Sequence, residues 1–327
     1  MSGNKGGRNK KIIKEKTGYI MIAPFIIIFL VFGLYPIINT IAVSFTDRTL
    51  MKQSAEFVGL KNFRTLFKDK FFWASIGNTW KIWAMNFIPQ IGIAMLIAVW
   101  LTDTRLKIKA VGFWRAIFYL PNLLMPITVA GLYRSIFTFY GPANQMLVRA
   151  GLVKEALDFF LSANFAQGLV AFIQWWMWFG NTLIILVAGM TSISVSLYES
   201  AMVDGANEWE MFWRITLPAL RPVLVYNLVT SLVGGMQMFD IPFMLTNGKG
   251  SPNGSIMTMN VFMNARFQRG SLGDSAAVGL CILFITTVCS LLIFYVLRDK
   301  DAILERKLKK AQEKAHKEKH LNVTGGN

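Results

Sequence analysis

Six long stretches without a charged side chain dominate this sequence, at residues 19–46, 82–101, 116–133, 159–198, 223–239 and 275–297. A bilayer core about 30 Å thick is crossed by roughly 20 apolar residues in a helix, so each stretch is read as one crossing. The fourth exceeds a single crossing, and its apolar heart is residues 165–190. In lipid every backbone N–H and C=O must be paired inside the protein, which for runs of this length leaves helices. The hydrophobic share of 54% and mean hydropathy of +0.44 agree that the solvent is lipid. The expected fold is therefore all-α, an integral membrane protein of six transmembrane helices spanning residues 19–297.

A formal charge of +16 suggests nucleic acid until the basic residues are located. They lie between the crossings. With the N-terminus inside, the cytoplasmic segments carry 21 Lys and Arg and the outer segments 11. That asymmetry follows the positive-inside rule, places both termini in the cytoplasm and removes the nucleic-acid reading. Six of the 11 outer charges fall in residues 46–75, an excess that the rule does not explain. Residues 1–18 form a basic arm rich in Gly, Asn and Lys, expected to lack structure. The apolar run after it is too long for a signal peptide and has no small-residue cleavage site, so it is read as a retained span. Residues 298–327 form a basic tail of helical charge spacing, suited to an anionic membrane surface. His316 and His320 on that tail are read as solvated rather than as metal ligands, and Cys281 and Cys289 as small core residues of the last span.

Chemistry is sparse in the apolar core. No nucleophile with a base, no carboxylate pair and no metal cluster is apparent, so neither a catalytic residue nor a cofactor is expected. Lys249 stands in Asn-Gly-Lys-Gly-Ser, but Gly250 follows it where a phosphate loop requires Ser or Thr. ATP, if used, must bind another subunit. Lys81, Arg134 and Asp240 each fall near the outer end of a crossing, leaving no ionisable side chain at the midplane and arguing against proton coupling. Uncharged groups occupy the middle. Gln174, Trp178 and Asn181 recur at i, i+4 and i+7 on the fourth span, and Asn227, Ser231 and Gly234 form a similar stripe on the fifth. Amides and an indole suit sugar hydroxyls and C–H faces, and interhelical hydrogen bonding is the alternative use of the same residues.

Between the fourth and fifth spans, residues 196–218 read as two short helices around a turn. Ser196 with Glu199, and Asn207 with Glu210, have capping-box spacing. Gly205 provides the left-handed residue that ends the first helix, and Pro218 and Pro222 suit helix starts. Pro36, Pro89, Pro121, Pro126 and the pair Gly234 and Gly235 are expected to interrupt spans.

Glu199, Ala201, Asp204, Gly205, Ala206, Phe212, Ile215, Leu217 and Pro218, in this spacing, resemble the EAA signature of bacterial ABC-importer permeases. Ser200 replaces the usual second Ala, and Ser194 stands where Pro is common. The likeness extends to FVGLKNF at 57–63, Asn78 with Thr79, FYLP at 118–121 and FDIPFMLT at 239–246, which are similar to the carbohydrate branch typified by maltose and glycerol-phosphate permeases. The resemblance implies the type I ABC-importer permease fold, with 196–218 as a cytoplasmic coupling element seated in an ATPase cleft. It also implies partners: a second homologous permease subunit, an ATP-binding subunit dimer and an extracytoplasmic solute-binding protein, with a sugar or oligosaccharide as solute. The rival expectation is a secondary transporter of a neutral solute, which would need inverted repeats and a midplane coupling-ion site.

Overall fold

A computed structural model describes residues 5–52, 55–103, 106 and 108–297. The basic tail 298–327, with His316 and His320, lies outside the described residues. Those described are helical apart from turns and two isolated bridges, Thr46 with Phe57 and Thr49 with Ser271. Five helical segments are long and apolar enough to cross a membrane: Thr17–Ser44, Lys70–Thr102, Ala163–Thr191, Arg221–Thr246 and Leu272–Leu297. A pair of helices, Val111–Leu123 and Pro126–Arg149, bent by 84°, passes the same test only when taken together as one broken span. The chain falls into two compact units, residues 1–73 with 262–283, and 74–261 with 284–327.

In the first unit, α1 (Lys5–Ile28) passes through a π-helical stretch, Phe29–Leu34, into α2 (Tyr35–Ser44). The arm expected to lack structure is thus helical from Lys5, as its Lys-rich composition allows once an apolar helix propagates into it. Pro36 sits in the first turn of α2, where its missing N–H costs little because the wider π turn has already displaced the ladder. Beyond Ser44 the Asp47 carboxylate accepts hydrogen bonds from the Lys52 ammonium (2.7 Å) and the Glu56 N–H (2.8 Å). The Lys52 hydrogen bond holds the Asp47 carboxyl below its usual range, and the same bond raises the Lys52 ammonium. The short helix α3 (Lys61–Lys68) is fastened to the end of α2: Asn62 Nδ2 donates to the carbonyls of Ser44 (2.8 Å) and Thr46 (2.9 Å). Asp69 pairs with Arg266, whose guanidinium lies over the Phe262 ring at 5.0 Å.

The second unit is built around α8 (Ala163–Thr191), whose apolar window is 56% buried, the largest share among the five. Its N-cap Ser162 accepts from the Phe165 N–H. Gly180 lets the backbone of α5 (Val111–Tyr119) approach, since a Cβ there would overlap the Phe118 carbonyl. α4 (Lys70–Thr102) meets α8 through Gln90, whose amide donates to the Thr182 hydroxyl at 2.7 Å, both residues being buried. Pro89 lies inside α4 without ending it, and α12 (Arg221–Met236) runs through Gly234 and Gly235. Of the expected interruptions in this unit, only Pro121 and Pro126 mark a bend. Pro121 opens a 3-10 turn, Leu120–Leu123, and Pro126 begins α6 (Pro126–Phe137). Pro121 and Pro126, five positions apart, withdraw two backbone donors from neighbouring turns, whereas Pro89 withdraws one.

α6 is held by α13 (Asp240–Thr246), where Arg134 donates to the Met244 carbonyl at 3.1 Å and pairs with the Asn247 side chain. Ile82, Val129, Ala130, Val170, Ile173, Met238 and Ile241 form the core between these elements.

Candidate coupling segment and solute path

α8 ends at Thr191, and the chain turns into α9 (Val195–Val203). Ser196, expected to cap this helix, lies inside its first turn. Ser194 takes the cap position without a side-chain bond to the helix, because its hydroxyl is joined to that of Ser196 at 2.7 Å. At the other end, Gly205 has φ of +82°, its N–H bonds the Met202 carbonyl (3.1 Å), and the Ala206 N–H bonds the Ala201 carbonyl (2.9 Å). This 6→1 and 5→2 pair is a Schellman closure, for which the left-handed residue is required. A Cβ on Gly205 would touch nothing within 4 Å among the described residues, so the demand there is conformational.

The next helix, α10 (Glu208–Met211), starts from a complete capping box. Glu210 N–H donates to Asn207 Oδ1 (2.9 Å), and Glu210 Oε2 accepts from Asn207 N–H (3.1 Å). A π-helical stretch, Phe212–Thr216, and a single turn, α11 (Leu217–Ala219), carry the chain to α12. Pro218 lies in that turn, and Pro222 opens α12. One bond ties the outgoing and returning arms: the hydroxyls of Tyr198 and Thr216 are 2.8 Å apart, and Thr216 is 7% exposed. Sequence reasoning missed this pair, since nothing local relates residues 18 positions apart.

Met211, like Thr216, is buried, and much of the remaining segment faces outward. Glu199, Asp204 and Gly205 are exposed, and Ala201, Ala206 and Phe212 are half-buried. Large apolar side chains are exposed beside them, including Leu197, Met202, Val203, Trp209 and Trp213. Phe212, Trp209 and Trp213 form a cluster of rings, with Phe212 6.3 Å from Trp209 and 5.6 Å from Trp213, and the two indoles 5.6 Å apart. A protruding helix pair with apolar knobs around a glycine turn can be gripped by a groove and offers no chemistry of its own.

On α8, Gln174 and Asn181 are half-buried and Trp178 is 43% exposed. None of the three side chains has a hydrogen-bond partner among the described residues. The two residues expected beside them on the fifth span are engaged within the protein. Asn227 is buried and donates to the Val223 carbonyl of its own helix (3.0 Å), and the Ser231 hydroxyl accepts from Trp83 Nε1 (3.2 Å). Among the described residues no group of three His, Cys, Asp or Glu could hold a metal ion.

Residues 70–310 match the family described as binding-protein-dependent transport system inner membrane component. The chain belongs to that family. It is 30% identical to the lactose transport system permease protein LacF of Rhizobium radiobacter over 88% of this chain and 95% of that one. It is 29% identical to the arabinooligosaccharides transport system permease protein AraP of Bacillus subtilis, over 88% and 90%. A solved chain of the bacterial alginate ABC transporter, in complex with alginate pentasaccharide-bound periplasmic protein, superposes with a TM-score of 0.72 at 26% identity, covering 88% of this chain and 96% of that one. As a binding-protein-dependent transport component the chain is a membrane permease and not an enzyme, and the projecting segment 196–218 falls within the family match.

Proposed function

We propose that this permease is one half of the translocation pathway of an ATP-driven, binding-protein-dependent importer of a neutral sugar or oligosaccharide. A second permease subunit, two ATP-binding subunits and an extracytoplasmic binding protein complete it, and both termini face the cytoplasm. The observation that carries the reading is the segment 196–218, a two-helix turn that leaves Leu197, Met202, Val203, Trp209 and Trp213 exposed among the described residues. ATP binding and hydrolysis in the partner move this projection, and α8 and α12, attached at its two ends, change the access of the cavity between the permeases. Glu199, Ala201, Asp204, Gly205, Ala206, Phe212 and Pro218 form the coupling element. Gln174, Trp178 and Asn181 present uncharged groups free to meet hydroxyls and C–H faces. Asn227 and Ser231 complete the polar band with their remaining acceptor capacity.

The relatives' names support the solute class, since LacF and AraP are named for lactose and for arabinooligosaccharides. The test is Gly205→Leu. The left-handed conformation costs a side chain about 1 kcal/mol, and the Leu must also enter the partner's groove. Uptake of labelled sugar and binding-protein-stimulated ATP hydrolysis should be lost while the chain stays inserted in the membrane. Wild-type uptake by a well-expressed Gly205→Leu permease would refute the reading.

A further inference from the structure

The six basic residues of 46–75 run against the charge asymmetry of the remaining loops, and the first unit shows where they go. Lys52 is neutralised by Asp47 (2.7 Å) and Glu56 (3.3 Å). Lys61, Arg64 and Lys68 instead share one face of α3 at i, i+3 and i+7, all exposed and with no acidic partner among the described residues. They border an open groove of about 520 Å³, lined also by Val58, Leu60 and Thr65. Like charges at this spacing on one face repel modestly, and an anionic cover relieves that repulsion.

The depth of α3 identifies the covering group. Its opposite face is pinned by the Asn62 bonds to Ser44, the last residue of the first span helix, and Lys68 stands two residues before Lys70, the first of the second. The Asn62 anchor therefore holds the helix level with the end of the first membrane crossing. Phe67, Phe71 and Trp73 flank it, each more than half exposed, with Trp73 Nε1 donating to the Phe67 carbonyl at 2.9 Å. Exposed aromatics at a span end mark the headgroup region of a bilayer, where an amphipathic helix rests with its cations among the phosphates.

We propose that α3 is an interfacial helix and that Lys61, Arg64 and Lys68 form a binding site for the phosphates of anionic phospholipids. Asn62 sets the depth of the helix, and the aromatic flank sets its tilt. The proposal is independent of the transported solute.

The test uses the full chain as extracted from its membrane, in mixed micelles titrated with phosphatidylglycerol or phosphatidylcholine, with retained lipid counted by native mass spectrometry. One basic residue at an anionic surface is worth a factor of about five, so the wild type should prefer phosphatidylglycerol by about tenfold or more, with the preference shrinking at high salt. Lys61→Gln with Arg64→Gln and Lys68→Gln should abolish that preference, whereas Lys61→Arg with Lys68→Arg should retain it. If the triple variant fails to fold, Arg64→Gln alone should lower the preference by a factor of about five. The proposal is overturned if the glutamine variants keep the wild-type preference, or if the wild type shows none. It is equally overturned if the triple variant keeps its lipid preference but loses capture of the extracytoplasmic binding protein, which would assign the face to a protein.

Discussion

Two neighbouring glycines in α12 have opposite surroundings. Gly234 is exposed, and a Cβ there would meet nothing within 4 Å, whereas a Cβ on Gly235 would overlap the Trp83 indole. That indole is held by its bonds to the Ser231 carbonyl (3.1 Å) and hydroxyl and by stacking on Phe87 at 5.2 Å, so it retreats only by giving up those contacts. Gly234→Ala should leave the thermal unfolding midpoint of the purified permease unchanged or raise it, because Ala gains up to about 1 kcal/mol over Gly in a helix. Gly235→Ala should lower it by the equivalent of about 1–3 kcal/mol, the usual cost of overpacking. Equal midpoints for the two variants would show that Trp83 yields freely. Sequence reasoning marked both glycines as interruptions of the span, because a missing side chain is legible in sequence and the tryptophan that requires the vacancy is not. Asn227 is similar: a polar residue at membrane depth was legible, but not that its partner is a carbonyl one turn away in its own helix.

At the scale of elements, the segment joining α8 to α12 was legible wherever its signals are local. The Asn207–Glu210 box and the Gly205 closure depend on residues within one or two turns, and the turn chemistry specifies them. Ser196 failed as a cap because the neighbouring Ser194 takes that position and bonds to it. The Tyr198–Thr216 clasp depends on how two helices fold back on one another, which no local pattern encodes. It yields a double-mutant test. Tyr198→Phe and Thr216→Val should each weaken the clasp by about 1 kcal/mol, and the double variant should cost little more than either single. The readout is hydrogen exchange of the Gly205 and Ala206 amides, which should accelerate to the same extent in all three. Additive acceleration would mean that the two hydroxyls act separately.

For the whole molecule, the six apolar stretches read from the sequence map onto the five long helices and the bent pair, since lipid leaves few ways to bury such stretches. The orientation proposed from charge can be tested with single cysteines placed at exposed positions in a background lacking Cys281 and Cys289. Thr65→Cys and Gln268→Cys should react in intact cells with an impermeant thiol reagent, and Val203→Cys should react only after the membrane is opened. Labelling of Val203→Cys in intact cells would invert the topology and remove the coupling assignment. Asn62 is unsuitable as a probe, being committed to the Ser44 and Thr46 carbonyls.

The third crossing has a consequence for how the polypeptide is made. Its two arms diverge by 84° between Leu123 and Pro126. At 1.5 Å per residue the 13 residues of Val111–Leu123 extend only about 20 Å, and α6 about 18 Å, each short of a bilayer core. Neither arm is therefore a self-sufficient insertion signal, and the contacts that hold the bend come from α8 and from Met244 and Asn247, which the ribosome supplies later. A nascent chain released after Gly151 should leave this hairpin partly unintegrated and extractable by carbonate, whereas one extended beyond Asn247 should resist extraction. Biogenesis of this permease then proceeds with its third crossing admitted provisionally, and made permanent by contacts from residues that emerge from the ribosome 55 to 113 positions afterwards.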